Sequence, residues 1–92
     1  MIKHNAYFEG RVQSLGINTA EGYATVGVME PGKYTFSTSS EEHMVIVEGS
    51  VKVRLPGKEW QDVGKSEKIV VPKGVSFDLD IPNEVGYICY YK

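Results

Sequence analysis

The chain has 92 residues, enough for one domain and too few for a second core. Its 41% hydrophobic and 24% charged content is that of an ordinary soluble globular protein. Ten basic and twelve acidic residues give a net charge of −2, and Lys and Arg never form a run. That balance argues against nucleic acid and against an anionic membrane surface as partners.

Cys89 is the single cysteine, so no intramolecular disulfide exists, which fits a reducing compartment. The opening "MIKHNAYFEG" has no apolar core of a signal peptide, and the longest clearly apolar run is Met44 to Val47. A cytoplasmic location is the expectation. A chain this short buries only about 60–65% of its unfolded surface, so a partner subunit adding buried area is expected as well.

In chain order, short runs rich in Val, Ile, Thr, Tyr and Phe alternate with turn signals. "TVGVM" precedes "EPGK" (Glu30–Lys33), where Pro then Gly suit the centre of a type II turn. "YTFST" and "MVIV" follow, and "VEGSV" (Val47–Val51) predicts a tight hairpin with Gly49 left-handed. "VKVRL" leads into "LPGK" (Leu55–Lys58), a second type II signal. "KIVV", "VSFDLDI" and "GYICYY" then close the chain, punctuated by "VPKG" and "IPNE".

"VKVRL" and "FDLDI" alternate apolar and polar residues, the period of a half-buried strand. Ser39 and Glu42 could cap a helix ending near Gly49, but "HMVIV" between them is short and β-branched, so strand is preferred. Many short strands with regular turns and no helix-length periodicity predict a sandwich or barrel.

One stretch carries a spacing with chemical content. Gly32 is followed after five residues by Thr38-x-Ser40, then Glu42, then six residues and Gly49. Cupins place His-x-His and Glu in a similar frame, and their second signature, Pro-x-Gly-x-x-His, is matched by Pro72 and Gly74 with Phe77 in the imidazole position. The glycines and proline of that frame are present and all three histidine ligands are absent. His4, His43 and Cys89 lie in unrelated places, so no metal site is expected.

More of the chain carries a specific likeness. "AYFEGRVQSLG", "ATVGVMEPGKYTFST", "VEGSVKVRLPGKEW" and "GYICYY" together resemble the pyrimidine/purine nucleoside phosphorylases, small single-domain cupins, over essentially the whole length. The resemblance implies an all-β, single-domain jelly-roll barrel of about nine strands over residues 1–92, with little or no helix, and a homodimer in which the N-terminal segment pairs onto the neighbour. It implies an enzyme that splits nucleosides with inorganic phosphate as co-substrate, giving free base and ribose 1-phosphate with no further cofactor.

Strand parity then groups the side chains, because alternate residues face opposite sides. If Glu42 faces inward, Met44 and Ile46 do too. Tyr34, Phe36, Thr38 and Ser40 share one face, which Phe77 and Leu79 join. Glu42 is the catalytic candidate, holding ribose hydroxyls or offsetting developing positive charge. Thr38 and Ser40 are candidate donors to phosphate or sugar. Tyr34, Phe36, Phe77 and Met44 are the candidate wall for the base.

Arg11 and Arg54 are the candidate phosphate cations, although Arg54 falls outward if Val53 and Leu55 point in. Some family members carry a basic residue where Tyr23 or Tyr90 stands, which leaves the phosphate contact open.

Plainer roles compete at each position. Glu42 could be a strand-end carboxylate satisfied by nearby hydroxyls. Thr and Ser are commonplace in strands and turns, and the aromatics are core before they are ligand wall. His43 is expected to face solvent, His4 to sit in a mobile terminus, Trp60 to anchor packing or an interface, and Cys89 to be a small buried hydrophobe. Two other functions remain open: a non-catalytic module binding a small metabolite, and a metal-dependent cupin enzyme.

Overall fold

The computed structural model describes all 92 residues and contains ten strands and no helix. They are β1 (His4–Tyr7), β2 (Val12–Thr19), β3 (Gly22–Met29), β4 (Gly32–Ser37), β5 (Glu42–Glu48), β6 (Val51–Arg54), β7 (Gln61–Val63), β8 (Lys68–Val71), β9 (Ser76–Ile81) and β10 (Val85–Tyr91). Two antiparallel sheets face each other, one of six strands in the order β1-β2-β3-β10-β5-β8 and one of four in the order β4-β9-β6-β7. This is a jelly-roll arrangement whose sheets are not closed into a barrel.

The core fills the space between the sheets. Along β9, Phe77, Leu79 and Ile81 are buried, while Asp78 and Asp80 between them are not. That is the period-two pattern "SFDLDI" announces. Along β5, Met44 and Ile46 are buried on the side to which Glu42 also points. The β-branched run from Glu42 to Glu48 is strand throughout, and no helix starts at Ser39.

Two turn expectations need correction. Val47–Val51 is not a hairpin, because β5 belongs to the six-stranded sheet and β6 to the other. Gly49 instead turns the corner between sheets with φ of 87°, and a Cβ there would lie 2.9 Å from the Glu84 carbonyl. At Glu30–Lys33 the Glu30 carbonyl accepts from the Tyr34 hydroxyl at 2.7 Å, and Gly32, with φ of 151°, already begins β4. "LPGK" does close as expected: Gly57 has φ of 71° and the Lys58 N–H donates to the Leu55 carbonyl.

The N-terminus differs as well. Residues 4–7 form β1, which pairs with β2 of the same chain and is the edge strand of its sheet. His4 is therefore in an ordered strand, where its Nε2 lies 3.0 Å from Gln13 Oε1. The ten strands exceed the nine expected, with β1 and the three-residue β7 the least visible in composition.

The outer face of the six-stranded sheet is apolar. Leu15, Ile17, Val26, Val28, Val47 and Val70 are each exposed there. Pairing places Leu15 beside Val26, Val26 beside Ile88, and Ile88 beside Val45, a continuous row across four strands.

Candidate functional site

A cavity of about 250 Å³ lies between the two sheets. Its floor is hydrophobic, with Met29, Met44 and Phe77, and its wall carries the rings of Tyr7, Phe36, Tyr87 and Tyr91. The polar groups are few: Glu42, Cys89, Ser14, and Ser37 and Ser39 on the β4 side. An apolar pocket with a few converging polar groups is the form taken by small-ligand sites. Two larger depressions, of about 590 and 670 Å³, lie over the outer face of the six-stranded sheet and share Leu15 and Val26. The first carries polar side chains of its own, among them His4, Arg11, Gln13, Glu30 and Glu84, whereas the second is lined mainly by apolar residues.

Glu42 opens β5, a strand paired on both sides, with Tyr91 of β10 and Val71 of β8 directly opposite. Cys89 stands opposite Met44, one step along the same face. Its thiol donates to Glu42 Oε1 at 3.5 Å. Burial strips water from the carboxylate and raises its pKa above 4.5, and the thiol bond offsets this only in part.

The neighbours titrate higher still. Burial pushes the Cys89 thiol up to about 12, and the negative charge of Glu42 adds to the effect. Tyr87 is also raised to about 12 by burial, with a hydrogen bond from Ser14 working the other way. Tyr91 is raised by burial despite the hydrogen bond between its hydroxyl and Thr25 Oγ1 at 3.1 Å. At neutral pH the phenols of Tyr87 and Tyr91 and the thiol of Cys89 therefore keep their protons beside the Glu42 carboxyl.

Tyr87 owes its position to a missing side chain. It faces Gly27 across the β3–β10 pair, and a Cβ on Gly27 would come within 2.5 Å of the phenol. Only glycine leaves that space.

The sequence candidates separate. Phe36, Glu42, Met44 and Phe77 line the cavity together, and the rings of Phe36 and Phe77 stack with centroids 6.1 Å apart. Tyr34 is 3% exposed and belongs to the core, tied through its hydroxyl to Glu30. Thr38 is buried, its Oγ1 donating to the Pro72 carbonyl at 2.7 Å and accepting from the Val75 N–H at 3.1 Å. That hydroxyl clamps the chain between β8 and β9. Ser40 follows the end of β4, half-buried and outside the lining.

Both arginines lie elsewhere. Arg11 donates to the Pro31 carbonyl and stands over the Tyr34 ring, 5.3 Å from its centroid. Arg54 points outward from β6, paired with Asp78 at 2.9 Å and placed 4.8 Å from the Trp60 ring centroid. Trp60 is thus an exposed ring covered by a cation. His43 is on the sheet face opposite Glu42; it is only 20% exposed and pairs with Glu41 at 2.7 Å, so it is less open than expected. No Lys, Arg or His side chain lines the cavity.

Cupin ligand positions are held here by Thr38, Ser40, Glu42 and Phe77, one carboxylate among two hydroxyls and a ring. Such a set does not fit a transition metal. Nowhere do three His, Cys, Asp or Glu side chains converge as ligands.

Tyr7, Ser14, Tyr87, Cys89 and Tyr91 were not among the sequence candidates for the site. For β10 the signal existed, since 87, 89 and 91 share one parity in "GYICYY". Tyr7 and Ser14 had none, because their approach depends on how β1 and β2 fold over the sheet.

Comparison with known proteins agrees on both fold and family. A protein of Tolumonas auensis named pyrimidine/purine nucleoside phosphorylase is 42% identical over the full length of both chains. One of the same name from Hahella chejuensis is 42% identical over 99% of each chain. A crystal structure of a protein of unknown function from Vibrio parahaemolyticus superposes with a TM-score of 0.95 at 39% identity, covering 100% of this chain and 99% of the other. A cupin from Shewanella frigidimarina, 15% identical, shares the fold over 97% of this chain and 81% of its own, with a TM-score of 0.75. The family model described as pyrimidine/purine nucleoside phosphorylase matches residues 2–91, and the chain belongs to that family.

Proposed function

We propose that this protein splits purine and pyrimidine ribonucleosides with inorganic phosphate, releasing the free base and ribose 1-phosphate. The observation that carries the reading is the Glu42 carboxyl held inside an aromatic cavity by the Cys89 thiol. A phosphate oxygen forms a bond to the anomeric carbon as the bond to the base nitrogen breaks, and the electron pair leaves with the base. Positive charge builds on the sugar in between. The ionised Glu42 accepts the ribose hydroxyls and offsets that charge in a cavity where few waters compete.

Phe36 and Phe77 supply a flat wall that makes few contacts to base edges, which suits tolerance of both purines and pyrimidines. The phenols of Tyr87 and Tyr91, protonated at neutral pH, serve as neutral donors. Ser37 and Ser39 offer further hydroxyls on the β4 side. Phosphorolysis in this form relies on positioning and preorganised donors and calls on no cofactor beyond phosphate.

The unit in solution is proposed to be a homodimer formed through the apolar outer face of the six-stranded sheet. Leu15, Val26, Ile88 and Val45 form an uncharged row there, of the kind monomers seldom leave open. The free thiol of Cys89 and the phosphate co-substrate favour a cytoplasmic setting.

The direct test is release of free base from inosine, adenosine, uridine and cytidine, with and without phosphate. Phosphate-dependent release is expected. Release in its absence would mean hydrolysis instead. The lack of any cationic side chain in the lining favours one second reading, a binding module, which predicts saturable nucleoside binding with no turnover.

A further inference from the structure

The cavity opens along a seam between two sheet edges. β1 is the edge of the six-stranded sheet and β4 the edge of the other, and no strand pairing joins them. The seam is closed by rings instead. Tyr7 meets Phe36 edge-on with centroids 6.1 Å apart and planes at 85°. Phe8 meets Phe36 at 5.3 Å and Tyr34 at 5.0 Å. Tyr7 and Phe8 are nonetheless 47% and 42% exposed, so each shows one face to water and one to the interior.

β1 is lightly held. It has four residues and pairs with β2 alone, whereas β2 and β3 pair over eight positions. The turn that follows carries three consecutive positive φ values, 53° at Phe8, 58° at Glu9 and 86° at Gly10. Two of these residues have a Cβ that disfavours the left-handed region, and the surrounding contacts must hold them there. The cavity behind this strap measures about 250 Å³, below the roughly 300–1,000 Å³ of pockets that take a small ligand. That is small for a nucleoside and a phosphate together, which favours movement of a wall on binding. Glu42, Cys89, Tyr87 and Tyr91 sit on β5 and β10, each paired on both flanks, so those walls resist displacement.

We propose that Tyr7 is a substrate-contacting residue on a movable strap, and that β1 peels from β2 to admit the nucleoside and returns its ring against the base beside Phe36. The inference rests on the phosphorylase reading for the identity of the ligand. Its mechanical half stands on the seam alone. Tyr7 then sets how large a base the site accepts, because its ring is the part of the lining that can retreat.

A reversible crosslink tests this. Ala6 and Gln13 face each other across β1 and β2 while Tyr7 lines the cavity, and the one native cysteine is buried. In Ala6→Cys/Gln13→Cys, oxidation should lower kcat/KM for phosphorolysis of inosine and uridine by about ten-fold or more, with recovery on reduction. Tyr7→Ala should raise KM, and Tyr7→Phe should retain most of the wild-type value. Equal turnover of the oxidised and reduced forms would overturn the strap, and an unchanged KM in Tyr7→Ala would remove the contact. Hydrogen exchange on the wild-type protein without substrate supplies a separate readout. Amides of residues 4–7 should exchange well ahead of those of residues 24–29, and equal protection would sink the strap by itself. Absence of phosphorolysis in the wild-type protein would end the phosphorylase reading, and the exchange rates would still decide whether β1 moves.

Discussion

The thiol of Cys89 donates to the carboxyl of Glu42 across the β5–β10 pair at 3.5 Å. A thiol is a weak donor, and Glu42 makes no other side-chain hydrogen bond. The carboxylate is thus desolvated without full compensation, which keeps its pKa above the ordinary value. Catalysis that needs the ionised form must work against that bias.

Replacing Cys89 alters the bias in a predictable direction. Cys89→Ser puts a stronger donor beside Glu42, so the acid limb of the kcat/KM profile should move to lower pH. Cys89→Ala removes the donor and should move it to higher pH. A profile that stays put in both variants would show that the pair does not govern activity.

Glu42→Gln should cut kcat by about 100-fold or more, the scale of losing one preorganised electrostatic group. Stability should change in the opposite sense. The folded pKa is raised, so the folded protein binds the proton more tightly than the unfolded chain does. Below the unfolded value both states are protonated and no penalty exists. The penalty grows as pH rises through the folded pKa. Glu42→Gln should therefore melt higher than wild type at pH 8 and show no such advantage at pH 4, as calorimetry at the two pH values would reveal.

Gly27→Ala drives a methyl group into the Tyr87 phenol. The expected cost is about 1–3 kcal/mol from overpacking, with loss of activity as the ring shifts. Denaturant unfolding and the phosphorolysis assay would report the two effects, and a variant as stable and active as wild type would contradict the placement of Tyr87.

Thr38→Val keeps the shape of the side chain and removes its bonds to Pro72 and Val75. Leaving those buried backbone groups unpaired should cost about 1–3 kcal/mol. A denaturation midpoint within error of wild type would return Thr38 to the list of free hydroxyls.

Val26→Lys sets a charge in the middle of the apolar outer face. If the proposed dimer forms through this face, sedimentation should show a dimer for the wild type and a monomer for the variant, with the strands intact by circular dichroism. A dimer that persists in the variant would place the contact elsewhere.

Much of the inner face was legible because side-chain parity is a local property. The alternation in "SFDLDI" and the step from Glu42 to Met44 to Ile46 follow from the two-residue period of any strand, whatever it pairs with. Thr38 shows the limit of that inference. Parity turned it inward correctly, but its hydroxyl is taken by the Pro72 and Val75 backbone, partners 34 and 37 residues away.

The sequence by itself determined an all-strand chain, the inward direction of Glu42, Phe36, Met44 and Phe77, and the want of imidazoles at the cupin ligand positions. Those properties depend on residue type and on neighbours two apart. Only the tertiary structure decided that β10 lies between β3 and β5, which sets Cys89 and Tyr91 beside Glu42, and that β1 closes the seam with Tyr7. Pairing between distant strands is selected by the whole set of buried faces at once, and no local stretch of the chain specifies it.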